Sequence, residues 1–115
     1  MQYALLIYDD EGKWAAMSEA ERGQMYQQYG AFTQQISKSG QYKGGHQLHP
    51  TSKATTVRVR DGKQLVTDGP FAETKEQLGG LYVIEAADLD EATAIAARIP
   101  SALIGSIEVR PISSM

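Results

Sequence analysis

The sequence predicts an α+β fold of the split βαβ, or ferredoxin-like, kind, in the order β-α-β, hairpin, β-α-β. Three observations carry this expectation. Two short stretches, 3–8 and 81–84, are apolar on both faces and read as central strands. Two capping boxes, Ser18 to Glu21 and Asp88 to Glu91, each open a segment of helical periodicity. Between them Asp61-Gly62 joins two alternating segments, the strongest short hairpin signal.

Taken in order, Tyr3 to Tyr8 is the first strand, and "DDEGKWAAM" reads as a connecting loop that Trp14 pins to the body. The first helix sets Met25, Tyr29, Phe32 and Ile36 on one face and ends near Gly40. "QYKGGHQLHP" is a short strand broken by two glycines, and Pro50 blocks further pairing. The hairpin runs from Thr55 to Arg60 and back from Gln64 to Thr67. In "TDGPFAETKEQLGGLY", Gly69 before Pro70 favours extended backbone and Phe71 is placed as a core anchor. Thr74 to Gln77 fits a one-turn capping box that Gly79-Gly80 would end in a left-handed conformation. The second helix turns Leu89, Ala92, Ala96 and Ile99 inward until Pro100 stops it, and a last strand alternates Ile107 and Val109 with Glu108 and Arg110.

The 115 residues form one domain, 1–115, with no internal repeat or low-complexity tract. Two helices cover one face of such a sheet, while its central strands are apolar on both. A second copy is the simplest cover, so a homodimer is expected, with Leu5 or its neighbours Ala4 and Leu6 and one face of 81–84 at the interface. A composition of 42% hydrophobic and 22% charged residues is that of a globular chain, and a net charge of −3 argues against a nucleic-acid partner. With no cysteine there is no disulfide, thiol nucleophile or thiolate metal site. The opening "MQYALLIYDD" has neither a basic leader nor an apolar run able to span a bilayer, so a cytoplasmic location without membrane contact is expected. No phosphate loop or dinucleotide fingerprint is found, and no cofactor is expected.

The stretch "VRVRDGKQLVTDGPFAETKEQLGGLYVI" resembles the signature of YCII-related proteins, in the branch called the DGPF-domain family. "YGAFTQQISKSG", "GGHQLHP", "DLDEATAIAARIP" and "GSIEVRPI" extend the resemblance over most of the chain. It implies a subunit that pairs face to face as a dimeric α/β barrel, in a superfamily that includes lactone isomerases, dehalogenating enzymes and small-molecule oxygenases. It implies no single reaction for this branch, whose genes often lie beside those of extracytoplasmic-function sigma factors; a functional link to a sigma factor is the partner it suggests. A better-known branch carries a helix histidine and an aspartate as an acid–base pair, and that histidine falls near Tyr29 here. His46 stands where the branch often has an acidic residue.

These residues give three candidate acid–base groups: Asp68, His46 and Tyr29. Asp68 sits where the chain leaves the hairpin, a common place for working residues, and its competing role is to accept the Phe71 or Ala72 N–H in a turn. His46 and His49 are the only imidazoles for proton transfer near neutrality; a metal held by both would need a turn between them and a third ligand such as Asp68, and no metal is expected. Tyr29 is either a core aromatic or a hydrogen-bonding acid–base group. Lys75, Tyr82 and His49 complete the set as candidate substrate contacts. The leading expectation is a small-molecule enzyme of lyase, isomerase or dehalogenase type. Against it stand a non-catalytic ligand-binding or regulatory module and a purely structural dimerisation domain.

Overall fold

A computed structural model describes residues 1–114. Strands β1 (Gln2–Asp9), β2 (Tyr42–Gln47), β5 (Gln77–Glu85) and β6 (Ser106–Pro111) form an antiparallel sheet in the order β2-β5-β1-β6. Strands β3 (Thr55–Arg60) and β4 (Lys63–Asp68) form a separate hairpin. Helices α2 (Glu19–Lys38) and α3 (Leu89–Ala97) supply the two crossovers of the ferredoxin-like arrangement. The sequence-based element order therefore holds.

The sheet sorts its side chains by alternation. Tyr3, Leu5, Ile7, Tyr82 and Ile84 are buried beneath the helices, where Phe32, Ile36, Ala92, Ile95, Ala96 and Ile99 meet them. Ala4, Leu6, Leu81 and Val83 alternate onto the opposite face, which no helix covers, and are half-buried. Leu5 belongs to the helix-covered core, so of the three residues proposed for a dimer contact only Ala4 and Leu6 face outward.

The α2 capping box forms as expected, with Glu21 N–H donating to Ser18 Oγ at 3.1 Å and Ser18 N–H to Glu21 Oε1 at 3.0 Å. At α3 the box shifts by one residue. Glu91 N–H donates to Asp88 Oδ1 at 2.9 Å, but the Glu91 carboxylate accepts from Ala87 rather than from Asp88. Asp61 and Gly62, at φ 52° and 74°, make the hairpin turn with both central residues left-handed, matching the twist of the strands.

Five local expectations are corrected. "DDEGKWAAM" contains helix α1 (Glu11–Ala16), because Asp10 accepts from the Gly12 and Lys13 N–H groups and caps it. Thr74 to Gln77 forms no helical turn: Thr74 Oγ1 donates to the Glu76 carbonyl, and Gln77 already begins β5. Gly79 and Gly80 are strand residues, and the left-handed glycine of this region is Gly69, at φ 97°. Phe71 is 79% exposed and anchors nothing in this chain. Leu89 is 54% exposed, since Ala92, Ile95, Ala96 and Ile99 take the inner face of α3 and its continuation.

Candidate functional site

Helix α2 buries only Phe32 and Ile36, both in its second half. Its first half stands away from the core, and α1 closes the space beyond it. Below lie Gly45, Gly79 and Gly80, so the sheet offers little side-chain volume there. Gly45 is tightly held, since an added Cβ would lie 3.0 Å from the Tyr82 ring. The result is a cavity of about 570 Å³ between the sheet and α1 and α2. Its walls include Trp14, Tyr26, Tyr29, Tyr42 and Tyr82. Trp14 meets Tyr26 edge-on with ring centres 5.5 Å apart, which is how α1 is pinned.

One end of the cavity is polar. Asp9 shares a face of β1 with buried Tyr3, Leu5 and Ile7, so strand alternation carries its carboxylate toward the helices. Ser101 lies in the 3-10 helix Pro100–Leu103 that follows α3, and is 2% exposed. Ser101 Oγ donates to Asp9 Oδ2 at 3.0 Å, and Tyr29 Oη lies 2.5 Å from the same Ser101 oxygen. A serine hydroxyl has one hydrogen. With that hydrogen on the Asp9 carboxylate, Tyr29 is the donor to Ser101, and the chain reads Tyr29 to Ser101 to Asp9. Asp9 Oδ1 is buried and has no protein partner among the described residues.

Burial raises the Asp9 carboxyl above its ordinary value; the Ser101 hydrogen bond offsets part of this, and the Glu76 charge adds to it. Burial likewise pushes the Tyr29 hydroxyl up to about 12, against the opposing Ser101 hydrogen bond and with help from the neighbouring Asp9 and Tyr82 groups. Tyr82 is raised by burial too, and its hydroxyl lies 2.8 Å from Thr33 Oγ1. Glu11 lines the cavity with both oxygens engaged by Thr51, accepting from its N–H at 2.7 Å and its Oγ1 at 2.8 Å.

The candidates named from sequence separate here. Tyr29 and Tyr82 line the cavity, and His46 borders it. His46 is exposed and pairs with Leu81, whereas its neighbour Gly45 pairs with Tyr82, so alternation directs the imidazole to the open face of the sheet. Asp68, Lys75 and His49 are exposed and lie outside the cavity lining. The Asp68 carboxylate accepts no hydrogen bond from Phe71 or Ala72 among the described residues; Gly69 N–H donates instead to the Ala54 carbonyl at 2.8 Å. No group of three or more His, Asp or Glu side chains is arranged to hold a metal among the described residues. No helix among them is long and apolar enough to cross a membrane.

Asp9 and Ser101 were not singled out from sequence. For Asp9 the signal was present: a carboxylate in phase with three apolar residues of a central strand. For Ser101 nothing local distinguishes it from any serine after a helix-stopping proline.

Comparison with known proteins places the chain in a family. The family model described as the YCII-related domain matches residues 1–115. An uncharacterized protein of Rhizobium meliloti (strain 1021), R00369, is 41% identical over 115 residues, an alignment covering 98% of this chain and 93% of the relative. With the match running through both crossovers, the hairpin and every residue of the cavity, the chain belongs to the YCII-related domain family.

Proposed function

We propose that the protein is a small-molecule enzyme that moves a proton through Tyr29, Ser101 and Asp9. The observation that carries this reading is the unbroken hydrogen-bonded chain at the polar end of an otherwise aromatic cavity. A lone tyrosine with its hydroxyl pushed up to about 12 is a poor base near neutrality, because it would have to exist as a phenolate. The chain removes that requirement. A substrate proton passes to Tyr29 Oη as the Tyr29 proton passes to Ser101 Oγ and the Ser101 proton to Asp9 Oδ2. The substrate keeps the electron pair, Asp9 becomes the acid, and no phenolate is released. Run backward from protonated Asp9, the same chain returns a proton through Tyr29. Removal at one carbon and return at another is the chemistry of isomerases, and removal followed by loss of a leaving group is that of lyases and dehalogenases. Asp9 replaces Asp68 in this reading as the terminal carboxylate.

The test is proton exchange in D2O, followed by NMR, across a panel of small carbonyl compounds with acidic C–H bonds. The wild-type protein is expected to wash the proton out of at least one of them. Tyr29→Phe, which interrupts the chain and keeps the ring, is expected to slow that exchange about a hundredfold or more. Exchange at the wild-type rate in Tyr29→Phe would sink the relay. The aromatic walls also suit a binding module without turnover; in that case no compound exchanges, while ligands still bind Tyr29→Phe.

We also infer that the working unit is a homodimer formed through the uncovered sheet face. Ala4, Leu6, Leu81 and Val83 there are too apolar to be left to water, and the hairpin adds exposed Val57, Val59 and Val66.

A further inference from the structure

Resting on the reading of the cavity as the site, the chemistry of its walls narrows what enters it. The lining contains two carboxylates, Asp9 and Glu11, and no lysine or arginine among the described residues. Neither carboxylate forms an ion pair with a cationic side chain among those residues. Lys13 lines instead a separate water-sized recess that also meets Asp9 and Trp14. Five aromatic rings surround the remaining volume, and their faces carry negative quadrupole density. Tyr29 adds to the same sign. Its hydrogen is engaged by Ser101 while Asp9 is ionised, so toward the cavity its oxygen offers lone pairs only.

We propose that the cavity selects a small organic cation, a protonated amine on an apolar body, with the ammonium toward the acidic end formed by Asp9 and Glu11 and the body against the rings. An ammonium brings three donors to a wall of acceptors, and a desolvated cation gains from each ring face it meets. A carboxylate ligand meets the opposite: two like charges, with no cation to pair and few donors to accept from. At about 570 Å³ the cavity is of the size that holds an amine with one ring or a comparable aliphatic body.

Trp14 is the single tryptophan of the chain and lines the cavity, so its fluorescence reports occupancy directly. Three probes of similar shape, 2-phenylethylammonium, 2-phenylethanol and 3-phenylpropanoate, are titrated against the full chain at neutral pH. The amine is expected to bind about tenfold more tightly than the alcohol, and the carboxylate more weakly than either. Asp9→Asn is expected to erase most of the amine's advantage over the alcohol. Glu11→Gln, whose amide still offers an acceptor to Thr51, is expected to reduce that advantage in part and serves if Asp9→Asn folds poorly. An alcohol that binds as tightly as the amine, or a carboxylate that binds most tightly, overturns the cation selectivity while leaving the cavity as the site. No response from Trp14 to any probe overturns the selectivity and the choice of cavity together.

Discussion

Asp9 is held in a position that a carboxylate does not favour. It lies in phase with the apolar residues of β1, one of its oxygens is buried without a partner among the described residues, and Glu76 places a like charge nearby. Its carboxyl is therefore raised from the 3.8 of a free aspartate. Because the folded value exceeds the unfolded one, the folded state binds the proton more tightly. The contribution to stability is fully present below 3.8 and is lost as pH rises through the raised folded value. Asp9→Asn removes the charge and with it this loss. The expected outcome is a variant whose melting temperature at neutral pH equals or exceeds wild type, with the difference shrinking toward pH 3.8, while proton exchange is abolished. Thermal melts of both proteins across pH check this. A variant markedly less stable at neutral pH would show the carboxylate to be a net structural asset, contrary to its burial.

One close backbone contact joins two of the elements that carry the site. Gly105, between the 3-10 helix Pro100–Leu103 and β6, packs so tightly on the end of β1 that a Cβ there would overlap the Tyr8 carbonyl oxygen and Asp9 Oδ1. That contact sets the distance between Asp9 and the segment bearing Ser101. Gly105→Ala must push the two strands apart, which is expected to cost about 1–3 kcal/mol and to lengthen the Ser101–Asp9 hydrogen bond. Urea denaturation measures the first effect and proton exchange the second. Gly23 is a contrast within α2, since beyond its own helical turns nothing lies within 4 Å of the Cβ it lacks. Gly23→Ala is expected to stabilise the helix by about 0.5–1 kcal/mol with no effect on exchange. Equal damage from both substitutions would argue against a special role for the Gly105 contact.

At the scale of the whole molecule, the chain folds thin and wide, with extents of 48 × 43 × 19 Å. Its radius of gyration of 16.1 Å exceeds the roughly 13 Å of a compact chain of about 100 residues. Both values follow from one helix layer on one sheet, with the β3–β4 arm projecting and bearing exposed Val57, Val59 and Val66. Leu6 stands on the uncovered face, paired across β1 and β5 with Leu81. A charge there should remain solvated in a monomer but be trapped at a dimer contact. Leu6→Glu is therefore expected to sediment as a monomer at concentrations where the proposed wild-type dimer forms. A wild-type protein that sediments as a well-folded monomer at micromolar concentration would remove the dimer altogether.

What the sequence determined by itself is a set of features that local chemistry specifies. Ser18 and Glu21 begin α2, Asp61-Gly62 turns the hairpin, Pro100 ends the α3 segment, and the alternation in β1 and β5 assigns a buried face. Each of these depends on residues a few positions apart, whose geometry is common to all chains. The family resemblance was legible for a related reason, since a long unbroken match is itself a local property of the text. The candidate site was legible only in Tyr29 and Tyr82, because its other parts are local in no sense. Asp9 and Ser101 are 92 residues apart and meet only once β1 and the end of α3 are packed together. The glycines at 44–45 and 79–80 read locally as a break and a turn, yet Gly45, Gly79 and Gly80 are the floor of a cavity, because β2 and β5 lie side by side. Asp68 carried the turn-like local signature of a working residue, but the hairpin holds it outside that cavity. Which polar groups share a desolvated space is decided by tertiary packing, since burial, and with it the shift of Asp9 and Tyr29, exists only after distant segments exclude water together.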